Sequence, residues 1–164
     1  MTGVGRRART GLAALAVLAL VAGTAVGLQH LRRADQEQES RDAALSTAHR
    51  AATAFTSYDK ADLDASFAAV LALGTPRFRE LFTGAGEQLR PLIAKKQASA
   101  KGAVLAAGVE RWDEEAARAS VLVAADAVVT NVDFPKGASQ RFRLRVELRR
   151  VDDRWLVDAI TPVV

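Results

Sequence analysis

The sequence predicts an α+β domain of three helices packed on a four-stranded antiparallel sheet, carried behind one N-terminal transmembrane helix. Three observations predict it. Gly11 to Leu28 runs for 18 residues without a charge. Apolar residues then recur at helical spacing as far as residue 93. From residue 104 to the C-terminus the period changes to two through four consecutive segments. Helices first and strands afterwards place the helical layer on one face of an antiparallel sheet.

The apolar run reads GLAALAVLALVAGTAVGL. As a helix it is about 27 Å long, close to the roughly 30 Å hydrocarbon core of a bilayer. Gln29 to Leu31 extend it, which gives a span of 11–31. Arg6, Arg7 and Arg9 precede the span, and Arg32 and Arg33 follow it. The larger basic count lies on the N-terminal side, so residues 1–10 form a cytoplasmic tail and the chain is a single-pass plasma-membrane protein. The small residues Ala25 and Gly27 offer a cleavage site for the rival reading of a signal peptide, but the apolar run exceeds the usual 7–15 residues of such a segment. Either reading puts the rest of the chain outside the cytoplasm.

Residues 32–43 are polar and mixed in charge, with no glycine or proline, and read as a helical stalk. The domain follows at 44–164. Its first helix carries Leu45, Ala48, Ala52 and Phe55 on one face and ends at Tyr58-Asp59. Asp62 or Asp64 caps a second helix whose apolar face is Leu63, Phe67, Val70 and Leu71, and Gly74 stops it. Thr75 followed by Pro76 is the signature of a cap and a first helical position, so a third helix starts there. Its apolar face is Phe78, Leu81, Phe82, Leu89, Leu92 and Ile93, and Gly84, Gly86 and Pro91 predict a kink or short break. The strands are expected at 104–112, 120–130, 141–149 and 154–163, with a long loop at 131–139 containing Pro135 and Gly137, and a tight turn at Asp152-Asp153. In the third strand Phe142, Leu144, Val146 and Leu148 face inward, while Arg141, Arg143, Arg145, Glu147 and Arg149 face outward.

Composition narrows the function. The net charge of +4 is concentrated at the membrane flanks: residues 1–33 hold five arginines and no acid, which leaves −1 for the remainder. A domain without net positive charge lacks the usual attraction for phosphate backbones, so no nucleic-acid partner is expected. The absence of cysteine excludes disulfides, thiolate metal sites, cysteine nucleophiles and a lipidated cysteine anchor. Aromatic residues make up only 5% of the chain, so alanine and leucine must do much of the packing.

The candidate chemical groups are few. His49 is the one histidine in the domain and reads as a boundary residue; His30 sits at the membrane edge. Tyr58, Asp59, Asp62 and Asp64 resemble part of a calcium loop but lack its glycine and terminal glutamate, and helix capping accounts for two of them. Asp126 and Asp158 are the candidates for an acid in an apolar pocket, the arrangement that tunes carboxyl groups in ketosteroid isomerase-like enzymes. The outward stripe Arg141, Arg143, Arg145 and Arg149 is the candidate partner-contact surface, with a solvated strand face as its plain alternative. No catalytic, cofactor-binding or metal-binding set is expected.

The element order is that of the cystatin-like cone fold, also called nuclear transport factor two-like, which hosts enzymes, binders and scaffolds alike. Tyr58-Asp59 followed by Leu63-Asp64, then Phe78 and Phe82, resembles the corresponding stretch of actinobacterial Mce-associated membrane proteins. Ala107-Gly108-Val109 and the ending Arg154-Trp155-Leu156-Val157-Asp158 with Pro162-Val163 resemble them too. The likeness covers residues 11–164 through short motifs. Two positions depart from it: Gly74-Thr75-Pro76 where that family often has Thr-Gly, and Asp153 where it often has glycine. The resemblance implies a non-enzymatic accessory of a mammalian-cell-entry (Mce) lipid-import complex at the cell envelope, with transporter subunits as partners. Membrane-anchored assembly factors of type IV secretion channels share the layout. The expectation is therefore a scaffold without enzymatic activity. Its rivals are a module binding a lipid or other small apolar ligand, and a ketosteroid isomerase-like or SnoaL-like enzyme.

Overall fold

The computed structural model describes residues 35–163. The span at 11–31, His30 and the Ala25-x-Gly27 site lie outside the described residues, among which no helix is long and apolar enough to cross a membrane. The chain divides into a unit of residues 1–40 and a unit of residues 41–164. Of the first, residues 35–40 are described, and they are helical. The second is the α+β domain.

Three helices, α1 (residues 35–55), α2 (Leu63–Leu71) and α3 (Pro76–Lys96), are followed by β1 (Ser99–Asp113), β2 (Arg118–Thr130), β3 (Ala138–Val151) and β4 (Arg154–Pro162). The strands form one antiparallel meander in the order β1-β2-β3-β4. This is the expected layering of three helices on a four-stranded sheet.

Local signals explain most of the boundaries. Asp62, rather than Asp64, is the N-cap of α2, and its Oδ1 accepts the Ala65 amide at 2.9 Å. Thr75 caps α3 by accepting the Phe78 amide at 3.2 Å, and Pro76 follows at the first helical position. Gln97 closes α3 in the left-handed region at φ 51°. Asp152 and Asp153 both have positive φ, 47° and 58°, which suits a two-residue hairpin turn. Aspartate tolerates that conformation better than most residues, so the turn forms without the glycine that the resemblance leads one to expect.

Several expectations are corrected. α3 is continuous from Pro76 to Lys96, with Pro91 inside it and no break. Gly86 serves packing instead: a Cβ there would lie 2.6 Å from the Phe67 ring. Leu81, Leu89 and Leu92 are exposed, while Phe78 and Ile93 are buried and Phe82 is partly so. The inner stripe of α1 is Ala44, Ala48, Ala51 and Ala52, turned slightly from the expected face, with Phe55 at its exposed edge. Small side chains let this helix lie close against the sheet. β1 begins at Ser99 rather than 104, and Gly102 belongs to the strand. A Cβ on Gly102 would fall 1.9 Å from Thr56 Oγ1, so glycine is what permits the end of α1 to cross the strand there.

The core lies between the layers. Val121, Val146 and Val157 are fully buried with Leu148, against the α1 alanines, Val70 and Phe78. Each buried aliphatic side chain contributes about 1.5–3 kcal/mol. Trp112 on β1 and Trp155 on β4 meet at 5.0 Å between ring centroids. Strands three steps apart stand about 14 Å apart in a flat sheet, so the two indoles reach toward each other across the intervening strands of the twisted sheet. The guanidinium of Arg41 lies over the Trp112 ring and that of Arg150 over Trp155.

Candidate functional site

Two surfaces qualify: an aromatic cleft between the helices and the sheet, and the outer face of the sheet.

The cleft encloses about 340 Å³. Phe55 from α1, Phe67 and Val70 from α2, and Phe82 and Ile93 from α3 form its walls. Phe82 sits among Phe55, Phe67 and Phe78 with centroid distances of 6.2, 5.5 and 5.6 Å. Tyr58 lines it as well, fixed by two backbone hydrogen bonds with Ala100, and partial burial raises its phenol above the ordinary value. Lys96, Asn131 and Gln140 give it a polar margin. Among the described residues lining the cleft there is no carboxylate and no histidine.

The expected pocket acids are elsewhere. Asp126 points from the other face of β2, opposite Arg141 on β3. Asp158 accepts a 2.9 Å hydrogen bond from Thr75 Oγ1 and lies 3.6 Å from Arg77, which ties β4 to the start of α3. His49 is exposed on α1, beside Val104 and Leu105 of β1. Asp59 accepts hydrogen bonds from the Ala61 amide and Ser99 Oγ, Asp62 caps α2, and Asp64 pairs with Arg90. Among the described residues no group of three acidic or histidine side chains is placed to hold a metal ion.

The outer face carries the arginine stripe, but its four members differ. Arg145 is held in a fork by Glu110 on β1, Nε to Oε2 and Nη2 to Oε1, both at 2.7 Å. Ser120 Oγ donates to the same Glu110 oxygen at 2.8 Å, and Arg111 pairs with Glu147 at 3.2 Å. A register shift between Val109 and Arg111 turns Glu110 toward this network. Arg141, Arg143 and Arg149 are exposed and have no ion-pair partner among the described residues. Arg149 faces Arg118 directly across the β2–β3 ladder, and both line a polar depression of 220 Å³ with Arg77, Glu147 and Asp158. Sequence reasoning identified the stripe by its alternation. It missed Arg118 and Glu110, because their roles depend on strand register.

The Arg145 and Ser120 hydrogen bonds lower the Glu110 carboxyl from 4.5 to about 2. The folded state therefore favours its ionised form. Its contribution to stability is complete above pH 4.5 and is lost as pH falls toward 2. Glu110→Gln should flatten the acid limb of the stability profile in that window, measured as unfolding midpoint in urea against pH. An unchanged slope would remove Glu110 from the acid response.

Solved structures share this fold. An IcmL-like type IV secretion system protein from Legionella pneumophila superposes with a TM-score of 0.61 at 12% identity, covering 73% of this chain and 91% of that one. The periplasmic domain of DotI gives 0.59 at 18% identity, covering 73% and 91%. At the level of sequence, the family described as uncharacterized protein Rv1363c/MT1408-like matches residues 8–157, and the chain belongs to that family. Uncharacterized protein Rv1362c of Mycobacterium tuberculosis is 29% identical over 154 residues, which span 91% of this chain and 69% of that protein.

Proposed function

We propose that this protein is a non-enzymatic, membrane-anchored assembly component of a multiprotein envelope complex. In this reading the segment at 11–31 is the anchor and the α+β domain lies outside the cytoplasm. The observation that carries the proposal is the outer sheet face. Arg118 and Arg149 oppose each other across the ladder, and Arg143 and Arg141 continue the stripe without an ion pair among the described residues, Arg141 lying opposite Asp126. Like charges placed directly opposite destabilise a sheet. An acidic partner surface would offset that cost, and arginine's planar fork suits it to the task.

The fold likeness to type IV secretion proteins favours an assembly role of the secretion-channel kind. An Mce-type lipid importer is a second setting for the same role, favoured by Tyr58-Asp59, Leu63-Asp64 and the Arg154–Asp158 ending. Purification of the tagged full-length chain from gently solubilised membranes tests both. A stoichiometric complex with other envelope proteins is expected, and their identity separates secretion from lipid import. Recovery of the chain alone would overturn the proposal.

A further inference from the structure

We infer that the mouth of the aromatic cleft is a second docking site, which takes an acidic amphipathic helix of a partner protein and buries one of its large apolar side chains in the cavity. This site is separate from the arginine face and its occupant is a different segment.

Large apolar side chains at the cleft stay uncovered. Leu89 and Leu92 line the cleft from α3 yet are 46% and 55% exposed. Val132 and Phe134, on the β2–β3 loop, are 59% and 56% exposed. The loop that carries them leaves the cleft at Asn131, and a small ligand confined to 340 Å³ would leave the exposed parts of Leu89 and Leu92 and this loop in water. A helix laid between α3 and the loop would cover the rim and place an anchor in the cavity, the usual form of helix-in-groove recognition. Exposed apolar surface gathered around one opening marks such sites.

The groove is already built. The Val132 amide donates to the Lys96 carbonyl at 3.1 Å, and Lys96 Nζ pairs with Asp133 at 2.7 Å. Asn131 Oδ1 accepts the amides of Asp133 and Phe134 at 2.9 and 2.8 Å. The loop is thus fastened to the end of α3, and little ordering is left for binding to impose.

Charge gives the partner's chemistry. Asp133 neutralises Lys96, but Lys95 in the last turn of α3 and Lys136 in the loop have no ion-pair partner among the described residues. Acidic residues flanking the apolar stripe of the incoming helix would meet them.

The test places a photo-reactive benzophenone amino acid at position 89 of the full chain in its native membrane. The expected adduct is one protein, joined through a segment with apolar residues at helical spacing and flanking acids. Phe134→Glu and Lys95→Glu each sit on the exposed surface, so the domain should still fold, and each should reduce the adduct at least tenfold. Replacement of Arg118, Arg141, Arg143 and Arg149 by glutamate should leave the adduct's formation at this site intact, which separates this inference from the proposed function. Adducts only with lipid, only with a second copy of this chain, or insensitive to both rim substitutions would overturn it, as would no adduct at all.

Discussion

Trp155→Ala should destabilise the domain by about 3–5 kcal/mol, the cost expected for truncating a buried aromatic residue. Trp155 is 5% exposed and belongs to the core cluster with the α1 alanines, Val146 and Val157. Its ring also packs on Trp112, which joins the two outer strands of the twisted sheet. Removing it opens a cavity at the point where these side chains of β1 and β4 meet, and neither strand is paired to the other by backbone hydrogen bonds. For a domain of this size the melting temperature should fall by on the order of 10–20 °C. Near-ultraviolet circular dichroism should show Trp112 losing its fixed environment at the same time. Trp155→Phe, which keeps part of the packing, should cost less. A melting temperature unchanged in Trp155→Ala would place the ring outside the core.

The second large effect is expected on assembly rather than stability. Changing Arg118, Arg141, Arg143 and Arg149 together to glutamate should reduce recovery of envelope partners at least tenfold, which corresponds to about 1.4 kcal/mol or more of binding free energy. These residues lack ion-pair partners within the described domain, so their replacement breaks no ion pair. Glutamate at 141 would face Asp126, and at 118 and 149 would join Glu147 and Asp158, so the same four positions changed to alanine provide the variant that adds no like charge. Surface changes of this type usually move stability by less than about 0.5 kcal/mol each. Arg145 must be left in place. Its fork to Glu110 joins β3 to β1 across β2, and reversing it would confuse loss of folding with loss of docking.

What was legible in the sequence was local. Thr75-Pro76 and the aspartates near 62 mark helix starts because their side chains and missing amide act within one turn. The alternation through Val121–Val129 and Phe142–Leu148 marks inward faces because a strand repeats every two residues. The start of β1 was not legible. Ser99-Ala100-Lys101-Gly102-Ala103 has little strand character, and its ladder comes from pairing with 126–130 and from the bridge between Tyr58 and Ala100. The open cleft was hidden for a related reason. Leu89 and Leu92 obey the apolar period of α3, but no described residue covers them.

The candidate site divides along the same line. The exposed arginines follow from alternation, whereas Arg118 opposite Arg149 and Glu110 against Arg145 follow from register and from a bulge, which are properties of the assembled sheet. Asp126 and Asp158 looked suited to a pocket because they interrupt apolar strands. The pleat sends Asp126 to the other face, and Thr75 and Arg77 occupy Asp158.

Docking through the arginine face is measured most directly by quantitative capture of membrane complexes with five chains: the unaltered protein, the quadruple arginine-to-glutamate variant, and His49→Ala, Asp126→Ala and Asp158→Ala singly. Folding of each should be checked by its melting temperature. The arginine variant should lose its partners while remaining folded, and every folded single variant should keep both its partners and the cellular function of the complex. Loss of that function in a single variant whose folding and assembly are intact, with partner recovery unaffected by the arginine reversals, would contradict it.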